Sequence, residues 1–279
     1  MEASTVRRIT RVWAQDAARF ATTLATVDPT WGSETFALAG GTVVLCGPGL
    51  YVNRALAVGE DRPLTDAEWA RLEQRSAAVG VPASIELTDA SAPGLREAVR
   101  ARGYVLDDSR SALARSTDLR DLPPPDPSFE VVPANGALLS AWQETAAAGW
   151  GHTAAAARYA SDVCAAVAAR VDGDGLMLLR RVGSERSLGC ATLTIRDGLA
   201  TLGGMSTLPD ARGQGVQTTL IRHRLRAAAA AGCDLATSVA ATGGGSERNL
   251  LRHGFERVFT IEQWAARSDP TGPVGRTGA

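Results

Sequence analysis

The sequence predicts a mixed α+β fold of two similar domains in tandem, each a mostly antiparallel mixed sheet flanked by helices. Three observations lead to this prediction. Short alternating apolar runs follow alanine-rich segments with helical spacing, a proline-rich stretch divides the chain, and the two halves repeat one order of elements. At 279 residues the chain is long enough for two domains of ordinary size.

The domain boundary is predicted at residues 122–127, where Leu-Pro-Pro-Pro-Asp precedes another proline. Consecutive prolines favour an extended, semi-rigid backbone over a packed element. We therefore predict an N-terminal domain at residues 1–121 and a C-terminal domain at residues 128–267. The segment 268–279 has no apolar periodicity and is expected to be a disordered tail.

The C-terminal domain is predicted to begin with a strand in "SFEVVPA" and to continue with two alanine-rich helices. Three short runs bounded by Gly and Asp then predict an antiparallel meander. A helix from Gly215 to about Ala231 ends at Gly232, a suitable C-terminal cap. The strand "DLATSVA", a short helix near "SERNLLRH" and a hairpin around "FERVFTIEQWAAR" complete the order.

The first half of the chain has the same order of helix, Gly, strand, turn, short helix, Gly-aromatic pair and strand. Gly80 precedes Gly103 by 23 positions, and Gly232 precedes Gly254 by 22. Matched landmarks at nearly one spacing predict two copies of one fold.

Composition and charge narrow the classes of partner. The 29 basic residues, all arginine, are balanced by 30 acidic ones, so the protein would not attract nucleic acid or an anionic membrane. A small-molecule partner is expected instead. No apolar run reaches the roughly 18 residues of a membrane helix and no signal segment is recognised, so a cytoplasmic location is expected. The four scattered cysteines are interpreted as reduced packing thiols, and no metal site is expected.

The segment "TLPDARGQGVQTTLIRHRL", residues 207–225, carries the strongest functional signal. A helix start leaves its first N–H groups without partners, and together with the helix dipole these favour a bound anion. Gly213 and Gly215 allow a tight turn that brings the amides close to a phosphate, and Arg212 can attract the anion or fasten the loop. The sequence therefore predicts a phosphate site at this turn.

Two other phosphate motifs fit poorly. A P-loop needs a lysine, which the chain lacks altogether. A dinucleotide fingerprint needs a third Gly or Ala where Thr218 stands, and a parallel strand order rather than a meander. Asp234 lies at about the right distance for a ribose-binding acid, but it precedes its strand instead of ending it.

The stretch "STLPDARGQGVQTTL" resembles the coenzyme A loop of the GNAT N-acetyltransferase superfamily, [QR]-x-x-G-x-[GA] after a strand ending in x-P. Arg212 and Gly215 fill the first and fourth positions, and Gln217 stands where the family usually has Gly or Ala. The likeness covers residues 128–267 in the family's order of elements. It implies two GNAT-like domains, the C-terminal one with a splayed pair of parallel strands that admits coenzyme A.

The resemblance also implies which residues would bind acetyl-coenzyme A, the expected acyl donor. Met205 and Thr207 would offer backbone groups to the thioester carbonyl and the pantetheine amides. Ser246 and Asn249 would lie near the pantetheine or the sulfur, with an N-cap role as the alternative for Ser246. The pyrophosphate loop would be formed by Arg212, Gly213, Gln214, Gly215, Val216 and Gln217.

For catalysis, Glu144 and His152 flank the turn "AAAGWGH", a region that lines the acceptor pocket in the family. His152 has a reference pKa near neutrality, and a solvent-exposed helix-end histidine is the alternative. The family often supplies a tyrosine as the acid where this chain has Leu250, so Ser246 is a substitute by proximity only. A thiolate with an ordinary pKa of roughly 8.5 can leave without full protonation.

Two further groups are interpreted as structural. Trp142 and Trp150 are assigned to the core or to a pocket wall. The run "RHRLR", residues 222–226, is interpreted as the solvent side of an amphipathic helix, with contact of one arginine to the 3′-phosphate of coenzyme A as the alternative.

The first domain has no equivalent loop. In its place stands "AVGEDRPLTDAEW", whose Glu60, Asp61 and Asp66 would repel a pyrophosphate, and in which Thr65 or Asp66 is better interpreted as an N-cap. We therefore expect a degenerate copy that has lost the cofactor.

These observations predict an acetyltransferase that moves an acetyl group from acetyl-coenzyme A to an amine of a small-molecule acceptor by direct attack. A non-catalytic acyl-coenzyme A binding or sensing protein is the alternative, because the tyrosine is missing. Nucleic acid, membranes and metal ions are not expected as partners, and a homodimer is left open.

Overall fold

The computed structural model describes residues 2–152, 154–171 and 174–267, in which seven α-helices and eleven strands are found. By its internal contacts the chain divides into two compact units. Unit 1 comprises Met1–Ser111 and Val258–Ala279, and unit 2 comprises Ala112–Arg257. The tail at residues 268–279, for which disorder is expected, lies outside the described residues.

Unit 1 begins with a long helix and contains a mixed sheet with the strand order β1-β2-β3-β4-β11. β3 and β4 are parallel, and the other neighbours are antiparallel. Its core includes Trp69, Leu72, Ile85 and Leu95. The elements are α1 (Ala3–Val27), β1 (Glu34–Leu38), β2 (Gly41–Leu45), β3 (Arg54–Leu56), α2 (Asp66–Ala78), β4 (Ser84–Leu87), α3 (Leu95–Ala101), the first part of β5 (Val105–Ser116) and most of β11 (Glu256–Ala265).

Unit 2 has the strand order β10-β9-β8-β7-β6. β9 and β10 are parallel, and the remaining neighbours form the predicted antiparallel meander. The elements, besides the end of β5, are β6 (Phe129–Pro133), α4 (Leu138–Trp150), α5 (Ala155–Ala168), β7 (Asp174–Arg181), β8 (Ser187–Arg196), β9 (Leu199–Thr207), α6 (Val216–Ala230), β10 (Leu235–Ala241) and α7 (Gly245–Arg252).

The α6 helix shows why the predicted elements form. Val216, Leu220, Ile221 and Leu225 are at most 1% exposed and pack in the core of unit 2. Burial of each such side chain contributes roughly 1.5–3 kcal/mol. Gly232 follows the helix with a φ of 75°, a conformation that favours glycine at a helix C-terminus.

The predicted α+β fold and the repeated order of elements are confirmed. Each unit passes from an antiparallel meander through a helix into a parallel strand and a short helix. Among the described helices, none combines the length and the apolar character needed to cross a bilayer.

The prediction of a final hairpin around "FERVFTIEQWAAR" was wrong. The segment Glu256–Ala265 is one continuous strand, β11, and it pairs with β4 through residues 262–265. No Gly, Pro or Asn interrupts these ten residues, and alternate side chains such as Phe259 and Ile261 are buried. Without turn residues, the segment continues as a strand.

The proline-rich segment is not where contacts divide the chain. The two boundaries between the units, after Ser111 and after Arg257, fall within the strands β5 and β11. Leu122 packs against the core of unit 2, and the carbonyl oxygen of Pro123 accepts a hydrogen bond from Arg226. Because packing within a unit does not establish independent folding, the predicted domains 1–121 and 128–267 stay a prediction.

Candidate functional site

The parallel strands β9 and β10 share a short ladder and then continue without it. They pair only over residues 199–201 and 235–237, whereas β9 extends to Thr207 and β10 to Ala241. Just beyond the ladder, the Ser238 side chain rather than a backbone N–H donates to the carbonyl oxygen of Leu202, at 2.7 Å. This arrangement matches the splayed pair that the resemblance implies.

The loop after β9 leads directly into the N-terminus of α6. It contains a short 3₁₀ turn, Pro209–Ala211, followed by Gly213 and Gly215 with φ values of 77° and 84°. Gly215 is the N-cap of α6 and has no side chain to accept from the first-turn amides. These amides, at residues 216–218, are the donors that a bound anion would use. A Cβ on Gly213 would meet no atom within 4 Å, so the left-handed backbone, not crowding, calls for glycine there.

Arg212, within the loop, and Arg181, on β7, form hydrogen bonds that hold this loop. The Arg212 guanidinium donates to the carbonyl oxygen of Gly149, near the end of α4, at 3.0 Å. Arg212 was expected either to attract the anion or to fasten the loop, and this hydrogen bond fastens the loop. Arg181, on β7, donates to Oε1 of Gln214 at 3.0 Å, while Nε2 of the same Gln214 donates to the carbonyl oxygen of Asp210 at 2.8 Å. Arg181 was not singled out from the sequence, because strand spacing does not reveal which loop a side chain approaches.

The first turn of α6 packs toward α7. Val216 is 1% exposed, so its side chain belongs to the core and its backbone to the loop. The side chain of Gln217, which stands in the family's small-residue position, accepts a hydrogen bond from Asn249 through Oε1. Asn249 in turn accepts from Arg252 at 2.7 Å. The cofactor contacts expected of Gln217 and Asn249 stay a prediction.

A β-bulge lies in β9 just before the loop. Cys190 of β8 faces Ser206 and Thr192 faces Gly203, so two residues of β9, 204 and 205, stand opposite the single residue 191. We call residues 203–205 the β9 bulge. Gly204 has a φ of 53°, and a Cβ there would come within 2.7 Å of Thr192. Both observations require glycine at the centre of the bulge.

The C-terminal end of α4 rests on β9. A Cβ on Gly149 would lie 1.9 Å from Oγ of Ser206 and 3.0 Å from the backbone nitrogen of Thr207, so only glycine permits this approach. Trp150 Nε1 donates to the carbonyl oxygen of Met205 at 3.1 Å. The backbone of Met205, expected to serve the thioester and pantetheine, therefore has its carbonyl already engaged.

The two candidate bases differ in their surroundings. His152 is partly buried: its Nδ1 lies 2.6 Å from Oγ of Ser161, and its ring centroid lies 5.5 Å from that of Trp150. The exposed helix-end interpretation was therefore wrong. Glu144 is exposed on α4, next to the buried Thr145. His152 lies against Trp150, which donates to the Met205 carbonyl oxygen of β9.

On α7, the position of the family's tyrosine is apolar, and the acid role expected of Ser246 stays a prediction. Leu250, at the tyrosine position, is 2% exposed and packs in the core. Ser246 is exposed in the first turn, and the N-cap is Gly244, so the alternative N-cap role of Ser246 was wrong. The buried Glu247 accepts two hydrogen bonds from Arg257, at 2.7 and 2.8 Å.

The interpretation of residues 222–226 as a solvent face was wrong for Arg224. Its side chain is 1% exposed, and burial lowers its pKa to about 9, so the guanidinium remains charged at neutral pH. Helical spacing places residue 224 on the same face as Leu220, Ile221 and Leu225, and it was the charge of the arginine that suggested solvent exposure. The alternative contact of an arginine with the 3′-phosphate stays a prediction.

The corresponding helix of unit 1, α2, is capped by its own side chains. Of the two candidates, Thr65 is the N-cap, and it forms a capping box with Glu68. The Glu68 carboxylate accepts from the Thr65 N–H at 2.8 Å and from both Nη atoms of Arg62 at 2.8 Å. The hydrogen bonds from Arg62, and then that from the Thr65 backbone, lower the pKa of Glu68 to about 2. An internal carboxylate thus lies at this helix start.

Comparison with known proteins agrees with this architecture. Residues 136–255 match the model of the Acetyltransferase (GNAT) family. No curated protein matches the chain by sequence. A GCN5-related N-acetyltransferase from Kribbella flavida has a TM-score of 0.62 at 22% sequence identity, covering 92% of this chain and 96% of that one.

Two further solved structures share the fold. A functionally unknown conserved protein from Staphylococcus epidermidis has a TM-score of 0.60 at 12% identity, covering 85% of this chain and 94% of its own. A tandem GNAT protein from the clavulanic acid biosynthesis pathway has a TM-score of 0.58 at 16% sequence identity. The match covers 82% of this chain and 74% of that one. Over residues 136–255 the chain is therefore similar to the GNAT acetyltransferase family, whose members transfer acyl groups from acyl-coenzyme A.

Proposed function

We propose that unit 2 transfers an acetyl group from acetyl-coenzyme A to an amine of a small-molecule acceptor. One observation carries this proposal: the N-terminus of α6, without a side-chain cap, directly follows the strand that leaves its parallel neighbour. A diphosphate is the kind of anion that such a helix start binds. The near-neutral net charge of −1 favours a small acceptor over a strongly charged macromolecule.

The proposed donor site follows the chain from β9 into α6. Backbone groups of Met205 and Thr207 would face the thioester and the pantetheine, and the amides of residues 213–218 would hold the pyrophosphate. Arg212 would keep the loop in place through its bond to Gly149. Arg181, which lies beside Gln214, adds a positive charge where the phosphates would approach.

The proposed reaction is a direct attack. The lone pair of the neutral acceptor amine forms a C–N bond to the thioester carbonyl carbon, and the carbonyl π electrons move to oxygen. As the carbonyl re-forms, the C–S bond breaks and coenzyme A leaves as a thiolate. The nitrogen gives its proton to a base, and the thiolate takes one from solvent or from an acid.

His152 is the better of the proposed bases. Its Nδ1 lies at hydrogen-bond distance from Ser161 Oγ, and in the tautomer that we propose Nδ1 donates to this oxygen so that Nε2 accepts the proton of the amine. Glu144, the other candidate base, is exposed on α4, and Ser246, the substitute acid, is exposed on α7. We expect His152→Gln to reduce kcat at neutral pH about 10-fold or more while the Kd for acetyl-coenzyme A stays unchanged. An unchanged kcat in a folded variant would remove His152 from this role.

An acyl-coenzyme A sensor without catalysis is the second candidate. The observation in its favour is Leu250, which places a buried apolar side chain where the family often has its acid. In that case the same loop would bind the donor, and no thiol would be released.

Two measurements separate these candidates. Calorimetric titration with acetyl-coenzyme A should give one site per chain, because α6 begins without a side-chain cap whereas its counterpart α2 carries its own carboxylate. Thiol release should then rise when members of an amine and amino-acid library are added. Tight binding without any acceptor-dependent release would favour the sensor, and two sites of similar affinity would contradict the degenerate first copy.

A further inference from the structure

Arg224, on α6, is a fully buried cation with no carboxylate beside it. Its guanidinium donates to main-chain carbonyl oxygens and to a sulfur, and none of the described residues offers it an acidic partner. Taking a charge out of water without an opposite charge is strongly unfavourable. Such a group needs an explanation beyond packing, since a methionine would fill similar space.

The guanidinium lies at the edge of the β9 bulge. Nη1 of Arg224 donates to the carbonyl oxygens of Thr192 and Gly203, at 3.0 and 3.1 Å. These two residues face each other where the ladder of β8 and β9 becomes irregular. The arginine therefore supplies hydrogen bonds at the place where a bulge disrupts the ladder.

Met205, at the C-terminal end of the β9 bulge, is also held by side chains. Nη2 of Arg224 lies 3.1 Å from Sδ of Met205, and Trp150 Nε1 donates to the Met205 carbonyl oxygen. The carbonyl groups before and after Gly204 are thus each fixed by a side chain. Gly204, with its left-handed backbone, lies between these two anchors.

The alternation of β9 indicates where the Gly204 N–H points. The carbonyl oxygens of Ala200 and Leu202 accept from side chains of β10, Thr237 and Ser238, so even-numbered residues of β9 face β10. Gly203 has the opposite phase, and its carbonyl oxygen, like that of Thr192 on β8, accepts from Arg224. Because the C=O and N–H of a trans peptide group point in opposite directions, the Gly204 N–H points away from Arg224 and toward the side of β10, beyond the last ladder pair. The Gly204 N–H would then face the space between the splayed strands, where the thioester is proposed to lie.

We propose that Arg224 is a positioning residue for acyl transfer: it holds the β9 bulge so that the Gly204 N–H points at the acyl carbonyl. The inference rests on the proposed function. The Gly203 carbonyl and the Gly204 N–H belong to one peptide group, so a cation bonded to the former polarises the latter. The buried charge also favours negative charge on the acyl oxygen during attack.

The charge and the hydrogen bonds can be separated by three substitutions. Arg224→Met removes both, Arg224→Gln keeps hydrogen-bond donors without charge, and Arg224→Lys keeps the charge. Arg170→Met is the matched control, because Arg170 is an exposed arginine whose guanidinium donates to the Ala166 carbonyl oxygen at 2.8 Å.

The readout is the infrared carbonyl band of acetyl-coenzyme A labelled with ¹³C at the carbonyl, recorded on the binary complex without an acceptor. In the wild type the band should move to lower frequency on binding. We expect Arg224→Met and Arg224→Gln to lose about half or more of this shift and kcat to fall about 10–100-fold, with Kd changed less than about threefold. Arg224→Lys should restore most of the shift, and Arg170→Met should match the wild type.

The outcomes distinguish this inference from the proposed function. A wild-type protein that does not bind acetyl-coenzyme A overturns both. A wild-type band shift that persists in Arg224→Met or Arg224→Gln overturns the role of Arg224 alone. If Arg224→Met does not fold, Arg224→Gln decides the question, because it can still bond the carbonyl groups of the bulge.

Discussion

The starts of α2 and α6 occupy equivalent places in the two copies of the fold, yet they differ in whether a side chain caps their first backbone N–H groups. α2 begins after Thr65, in an extended conformation with a φ of −76°, and its first turn carries Glu68. α6 begins after Gly215, in the left-handed region with a φ of 84°, and has no acidic residue in its first turn. The amides at the start of α2 therefore lie beside an internal carboxylate, whereas those at the start of α6 have no side-chain cap and suit the anion that we propose.

This difference shows how a helix start can be stabilised without an external anion. A capping box stabilises a helix by an amount similar to other caps, about 1 kcal/mol, so α2 gains stability from its internal carboxylate. The Arg62 guanidinium pairs with Glu68, and the pair resembles a clamp on a phosphate. The two helix starts differ at the N-cap, Thr65 against Gly215, and at the third position, Glu68 against Thr218.

The largest effect is expected when α6 is made to resemble α2. Thr218 occupies the third position of α6, as Glu68 does in α2. Thr218→Glu should weaken acetyl-coenzyme A binding about 100-fold or more, because its carboxylate would lie over the amides that a phosphate needs. Calorimetry would measure the Kd, and thermal unfolding would show a stability that is unchanged or higher.

Thr218→Gln is the control for that change, since it has the same shape without the charge. It should weaken binding less than about 10-fold. Equal affinities of the Glu and Gln variants would contradict an anion site at this helix start.

An intermediate effect is expected from the backbone of the N-cap. Gly215→Ala places a Cβ on a left-handed residue and should reduce stability by about 1 kcal/mol, with an affinity loss of about 10-fold. Gly232→Ala is matched to it, because Gly232 has a φ of 75° at the other end of the same helix and a Cβ there would meet no atom within 4 Å. Stability should fall similarly in both variants, and binding only in Gly215→Ala. A similar loss of affinity in both would indicate a general effect on α6.

The smallest effect concerns stability as a function of pH. In the folded protein the pKa of Glu68 lies at about 2, below its ordinary 4.5, so its carboxylate stabilises the fold above pH 4.5 and loses this effect as the pH falls toward 2. Glu68→Gln should therefore be less stable than the wild type by at most about 1 kcal/mol at neutral pH. The difference should shrink between pH 4.5 and pH 2 in denaturant titrations, and a constant difference would contradict the role of charge. Binding stoichiometry should remain one site per chain.

Local signals predicted much of unit 2 correctly. Bounding Gly and Asp residues marked the meander, and Gly232 marked the end of α6 to within about two residues, because these positions depend on local backbone conformation. The loop from Pro209 to Gly215 was recognisable for the same reason. Leu250 could be recognised as a missing acid, although its burial in the core depends on packing across the unit.

What the sequence could not predict depends on contacts between distant residues. Periodicity places residue 224 on the buried face of α6, but it did not reveal the carbonyl groups on β8 and β9 that allow an arginine to be buried there. Nor could the bond of Trp150 to Met205 be anticipated across 55 positions. The continuous β11 was mistaken for a hairpin because alternating apolar residues do not reveal whether a strand turns back.

The contact of α4 with β9 has a consequence for engineering acceptor specificity. Because Gly149 brings backbone against backbone, the height of the following turn above β9 is set by the absence of a side chain. Other positions around the turn could therefore be varied while the turn keeps its distance from β9, provided that residue 149 is left unchanged together with Trp150 and His152, which the proposed function uses. Gly149 is in this sense a fixed spacer between α4 and β9.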